Sequence, residues 1–154
     1  MALDDDIAFF ERVPILAALG KQALRVLAIG AEARRLQTGA VLFYSGELAD
    51  GAYLVQQGTL LMEPGTFAEG KQYTIGAGAL VNELALITEM PCPATAIAKE
   101  PTVVARLSRS LFLKTLEGYP VDARNLRDIM ARRLEGSTRE LAKVKAALEK
   151  NAPP

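Results

Sequence analysis

Eight glycines fall between positions 39 and 78: Gly39, Gly46, Gly51, Gly58, Gly65, Gly70, Gly76 and Gly78. Glycine at that density interrupts long regular elements and supplies tight turns, because it alone reaches positive φ without steric cost. The residues between and beyond these glycines form short runs rich in β-branched and aromatic side chains. They are Val41 to Tyr44, Tyr53 to Gln56, Thr59 to Glu63, Tyr73 to Ile75, Ala94 to Ala98 and Val103 to Leu107. Short strands at near-regular spacing predict a closed or sandwiched antiparallel sheet. Pro64-Gly65 and Glu69-Gly70 mark a hairpin tip facing solvent.

The flanks read differently. Ile7, Phe9 and Phe10 fit a short helix that Val13-Pro14 ends. Ile15, Leu16 and Leu19 lead to Gly20, and Leu24, Leu27 and Ala28 recur at helical spacing up to Gly30. After the last strand, Ser108 or Ser110 caps a helix carrying Leu111, Phe112 and Leu116, which Gly118 and Pro120 end. A long helix is expected from Val121 to about Lys150. Leu134, Leu141 and Leu148 fall seven apart, as do Met130, Ser137 and Val144. That is a heptad seam, and a homodimer through Met130, Leu134, Leu141, Val144 and Leu148 is the expectation. Gly136-Ser137 is a plausible bend, and residues 151–154 are expected to fray.

Composition removes several classes. The chain has 154 residues, half of them apolar, which suits one domain with its own core. Lys and Arg together number 18, as do Asp and Glu, so no overall charge draws the chain to nucleic acid or anionic lipid. The basic residues near the C-terminus are offset by acids and read as a solvated helix face. Cys92 is the single cysteine and histidine is absent, which rules out an intrachain disulfide and leaves zinc no soft ligand set. The N-terminus is acidic and no apolar run approaches the ~20 residues of a membrane span. A cytoplasmic protein without membrane or nucleic-acid partner is expected. No nucleophile motif or paired carboxylate set supports an enzyme, and no cofactor is expected.

Two stretches carry a resemblance. The first is Gly39, Val41, Leu42, Phe43, Gly46, Glu47, Asp50, Tyr53, Leu54, Val55, Gly58 and Leu60. The second is Gly78-Ala79-Leu80-Val81-Asn82-Glu83-Leu84-Ala85-Leu86-Ile87 followed by Met90-Pro91-Cys92-Pro93-Ala94-Thr95-Ala96. Together they resemble the cyclic-nucleotide-binding domain of the catabolite activator protein and the protein kinase A regulatory subunits. The resemblance implies a mainly β fold: an antiparallel, jelly-roll-like β-roll with N-terminal helices and a long C-terminal helix. It also implies the division 1–120 for the roll with its N-terminal helices, 121–150 for the C-terminal helix of the same domain, and 151–154 for the tail.

The second stretch resembles the phosphate-binding cassette, and the resemblance assigns the ligand-contacting positions Val81, Asn82, Glu83, Leu84, Ala85, Cys92, Pro93, Ala94 and Thr95. In the family a glutamate accepts from the ribose 2′-OH, free N–H groups of a short helix point at the cyclic phosphate, and an arginine pairs with it. Glu83 occupies the ribose position, and Leu84 and Ala85 keep the helix start. Asn82 replaces a glycine, and asparagine tolerates the left-handed conformation better than most residues. Cys92 stands where the arginine belongs. Pro93 stands where the next N–H donor belongs, and proline has none.

A hydrogen bond to a charged group contributes ~1.5–3 kcal/mol, so the two losses together cost about 3–5 kcal/mol. At about 1.4 kcal/mol per factor of ten, a micromolar site becomes millimolar or weaker. Lys99 and Arg106 are the basic residues nearest in sequence that could replace the arginine. Three functions compete. One is a cyclic-nucleotide (cAMP or cGMP) sensor with an impaired phosphate site. The second is a nucleotide-independent scaffold that dimerises, binds an unidentified protein partner, or takes another small ligand. The third is a redox sensor using Cys92 beside a helix N-terminus, where thiol pKa falls. Transcription factors of the family carry a DNA-binding domain after the long helix. The chain stops at Pro154, so a stand-alone module is expected.

Overall fold

Each glycine-bounded run pairs with a distant partner rather than only with its sequence neighbour, and this closes the roll. The computed structural model describes residues 3–65 and 70–132. Helix α1 (Leu3–Glu11), a 3-10 turn (Leu16–Ala18) and α2 (Lys21–Gly30) precede the strands. Those are β1 (Glu32–Leu36), β2 (Val41–Phe43), β3 (Leu48–Ala49), β4 (Gly51–Gln57), β5 (Thr59–Pro64), β6 (Tyr73–Gly76), β7 (Leu80–Val81), β8 (Met90–Pro91), β9 (Ala94–Ala98) and β10 (Thr102–Ser108). A second 3-10 turn (Glu83–Leu86) sits between β7 and β8, and α3 (Arg109–Gly118) follows β10. A further helix, α4, covers residues 120–132 of those described.

The strands form two four-stranded sheets, ordered β1-β10-β4-β7 and β2-β9-β5-β6, and a small β3-β8 ribbon. Every pairing is antiparallel. The mainly β roll with helical flanks is therefore as expected. Glu69 and its neighbours at the hairpin tip lie outside the described residues, but β5 and β6 pair across that tip.

The central strands of the first sheet, β4 and β10, are buried on both faces. Ala52, Leu54, Ala105 and Leu107 join Phe10, Leu16, Leu24, Leu27 and Phe112 in a core between sheet and helices. Val55 and Val104 point the other way, into the roll, with Phe43, Leu60, Met62, Cys92 and Ala96. Register fixes this division: Leu54 faces Ala105 across the ladder, while Val55 faces Val104.

Gly58 turns β4 into β5 with φ +89°, and a Cβ there would overlap the Thr102 hydroxyl and come within 2.6 Å of the Pro101 carbonyl oxygen. Between the two candidate caps of α3, Ser108 is the one used: its hydroxyl accepts from the Leu111 N–H at 3.1 Å.

Four strands escaped the sequence reading. β1, Glu-Ala-Arg-Arg-Leu, has no β-branched residue and is largely exposed. β3, β7 and β8 have two residues each, too few for any periodicity. On α4, Leu126 is buried and Met130 packs against the chain's own helical core, so Met130 is partly engaged within the domain. Leu134, Leu141, Val144 and Leu148 lie outside the described residues.

Candidate ligand site

The β3-β8 ribbon pairs Leu48 with Pro91 and Ala49 with Met90, pressing the turn after β2 against the segment that follows the 3-10 turn. Cys92 is pinned between them. Its N–H donates to the Glu47 carbonyl at 2.7 Å, and its own carbonyl accepts from the Gly46 N–H at 2.8 Å. The side chain is only 4% exposed and belongs to the roll's interior core.

Asn82 is the one non-glycine residue at positive φ among the described residues, at φ 61° and ψ 42°. A polar, unbranched side chain can hold this left-handed conformation, so the turn into the cassette is kept without glycine. Its Nδ2 donates to Cys92 Sγ at 3.5 Å.

Both residues line a cavity of about 200 Å³ inside the roll. The opposite wall carries Tyr53 from β4, Arg106 from β10 and Arg34 from β1. Arg106 lies opposite Glu32 on one side and Tyr53 on the other, so these three share the sheet face that looks into the roll. Arg106 donates to Asp50 at 2.6 Å and lies 3.6 Å from Glu32; its side chain is 15% exposed, theirs 69% and 62%. Arg34 donates to the Tyr53 hydroxyl at 3.4 Å, with its guanidinium carbon 5.8 Å from that ring's centroid.

The other expected site residues are divided. The segment 83–86 is a single 3-10 turn, not a longer helix, and the Ala85 N–H already donates to the Asn82 carbonyl at 2.9 Å. The expectation that the N–H of Ala85 is free therefore needs correction: the tighter i to i+3 pattern uses that donor. Glu83 opens this turn and is half-buried, and Leu84 is exposed. Val81, Ala85 and Ala94 are core residues. Pro93 is exposed, and its carbonyl accepts from Gly65. The Thr95 hydroxyl accepts from the Ser45 N–H at 2.9 Å, tying β9 to the turn after β2.

Of the two replacement cations, Arg106 reaches the cavity wall. Lys99 is exposed, and its N–H donates to Thr59 at the edge of β5. Arg34 was missed because β1 gives no strand signal; the pairing of Glu32 and Arg34 on alternate positions is its only trace in sequence.

Electrostatics separates the two walls. Burial pushes the Cys92 thiol up from its ordinary 9.0, the Asn82 hydrogen bond opposes this, and the charges of Glu47 and Asp50 raise it further. The wall facing the arginines is therefore a neutral thiol, contrary to the lowered pKa that a redox role requires. Burial works against the Arg106 guanidinium. The Asp50 hydrogen bond and charge, with Tyr53 and Glu32, more than offset it, and its pKa is raised overall. Arg106 is a permanent cation on a half-enclosed wall.

At the cassette's outer end, the backbone N–H of Arg109 donates to the Asp50 carbonyl at 2.7 Å. Its guanidinium donates to the carbonyls of Ala49 and Ala85 at 3.3 and 3.2 Å. The first residue of α3 thus holds the β3 strand and the cassette turn together.

An antiparallel roll flanked by helices, with the 82–92 segment walling a half-enclosed cavity, is the architecture the chain shares with the family below. Residues 33–119 match the family model for the cyclic nucleotide-binding domain, and the chain belongs to that family. It is 34% identical over 119 residues to a cyclic AMP receptor protein of Thermus thermophilus, covering 75% of this chain and 55% of that one. It is 33% identical over 112 residues to a cAMP-dependent protein kinase regulatory subunit of Yarrowia lipolytica, covering 70% and 28% respectively. The chain thus spans about half or less of the length of these relatives. A cyclic nucleotide-binding-like protein from Brucella abortus matches in structure with a TM-score of 0.66 and 37% identity, over 73% of this chain and 98% of that one. Among the described residues no helix is long and apolar enough to cross a membrane.

Proposed function

We propose that this chain is a non-catalytic sensor module whose roll cavity takes a cyclic nucleotide with an affinity lowered by the loss of the cassette arginine. The observation that carries the reading is Cys92: a buried, neutral thiol at the cavity wall, held by Asn82, with Pro93 beside it offering no N–H. Family membership, and relatives that are a cyclic AMP receptor protein and a cAMP-dependent protein kinase regulatory subunit, support cAMP as the first ligand to test, with cGMP as its comparison.

Calorimetric titration tests the reading. The expected wild-type dissociation constant is on the order of 0.1–10 mM, because the missing contacts remove about 3–5 kcal/mol. Replacing Cys92 by Arg and Pro93 by Ala together is expected to tighten cAMP binding by at least about a hundredfold. No gain in the double variant would show that the cavity itself no longer fits the nucleotide.

That outcome would favour a second reading, a nucleotide-independent scaffold. Its support is the cavity volume of about 200 Å³, below the ~300 Å³ at which ligand pockets usually begin. Both readings include a homodimer through the C-terminal helix and a cytoplasmic protein that does not itself bind nucleic acid.

A further inference from the structure

The wall opposite the cassette holds what the cassette lacks. Arg106 and Arg34 sit on the neighbouring strands β10 and β1 and both line the cavity that Cys92 and Asn82 close from the other side. A guanidinium is the side chain best suited to a phosphoryl group, because its planar fork matches two oxygens at once.

Arg106 already has two acids on it, Asp50 at 2.6 Å and Glu32 at 3.6 Å, and Asp50 is of an unusual kind. Asp50 is 69% exposed while its partner is 15% exposed, so the carboxylate reaches in from the rim to a cation on the wall. The solvent-facing carboxylate can swing into water while the incoming phosphoryl group takes over its charge on Arg106. Arg34 has Tyr53 as its neighbour, an aromatic face that orients the guanidinium while leaving most of its donors open.

We propose that Arg106 and Arg34 together hold the ligand's phosphoryl group in place of the cassette arginine, and that Asp50 is an internal placeholder which this group displaces. The inference rests on the reading that this cavity takes a cyclic nucleotide. The ligand's sugar then lies between this wall and Asn82. The cavity of about 200 Å³ suits a sugar phosphate better than a whole nucleotide, leaving a base at the mouth.

Calorimetric titrations with cAMP, ribose 5-phosphate and inorganic phosphate test it on the wild type and four variants: D50N, R106Q, R34Q and the Cys92→Arg, Pro93→Ala double variant. D50N removes the placeholder and keeps both cations, so it stays informative even if R106Q does not fold. The expected result is that D50N binds cAMP and ribose 5-phosphate roughly two- to fivefold more tightly than wild type. R106Q is expected to weaken binding at least about tenfold, and R34Q several-fold. Binding of inorganic phosphate with the same pattern across the variants would support the phosphoryl site without the sugar.

Unchanged or weaker binding by D50N, or full binding by R106Q, overturns the inference while leaving the sensor reading in place. Silence of the wild type and D50N toward all three probes also overturns it. The double variant then separates the two failures: if it binds cAMP, only the arginine site is wrong; if it too is silent, the sensor reading falls as well.

Discussion

At the scale of single residues, the thiol of Cys92 links site and stability. Burial, ahead of the Asn82 hydrogen bond and the nearby acids, raises its pKa in the folded chain. A raised folded pKa means the native state holds the proton more tightly than the unfolded state does. Its contribution is fully present below the unfolded value of 9.0 and is lost as pH rises through the folded value. Thermal melts between pH 7 and 11 are therefore expected to fall more steeply above pH 9 for the wild type than for Cys92→Ala, with parallel curves below it. Identical curves throughout would mean that the thiol does not titrate differently on folding.

The departures at Asn82, Cys92 and Pro93 were legible because the cassette runs without a gap in one stretch of sequence. The Arg106–Asp50 pair was not, because it joins residues 56 positions apart, on a strand and in a turn that only the folded register brings together. Arg106 could be named as a candidate cation, but its position beside the cavity depends on which face of β10 looks inward.

Among the elements, strands of three or more residues with β-branched side chains read clearly, and all six expected runs pair in sheets. β1 did not, because its stability comes from pairing with β10 rather than from its own sequence. The consequence was functional: Arg34, a cavity residue, sits on the strand least visible in sequence. The helix boundaries were better marked. Ser108 ends β10 and caps α3 at the point where Arg109 clamps Ala49 and Ala85. Ser108→Ala is expected to destabilise the chain by about 1 kcal/mol in urea unfolding, within a range of roughly 0.5–2. A change of a few tenths or less would mean that the sheet, not the cap, sets the start of α3.

Across the whole molecule, β4 and β10 put residues into both cores, and β7 and the turn at 83–86 bridge them as well through Leu80 and Val81 and through Leu86 and Ala85. The cavity-lining residues lie on the roll side, and the helices lie on the other. Arg109 spans the gap by holding the cassette turn to the base of α3. The proposed dimer belongs to this scale. Replacing Leu141 and Leu148 by Asp is expected to convert a dimer to a monomer in sedimentation equilibrium, with the roll still folded by circular dichroism. A dimer that survives both changes would place the interface elsewhere.

In the proposed function, the family's fold keeps its cavity and has a phosphate site weakened at Cys92 and Pro93. Titrating cAMP into the wild type and into the Cys92→Arg, Pro93→Ala double variant tests it most directly. Weak binding by the first and binding at least about a hundredfold tighter by the second are expected. Equal affinities, or silence in both, would contradict it.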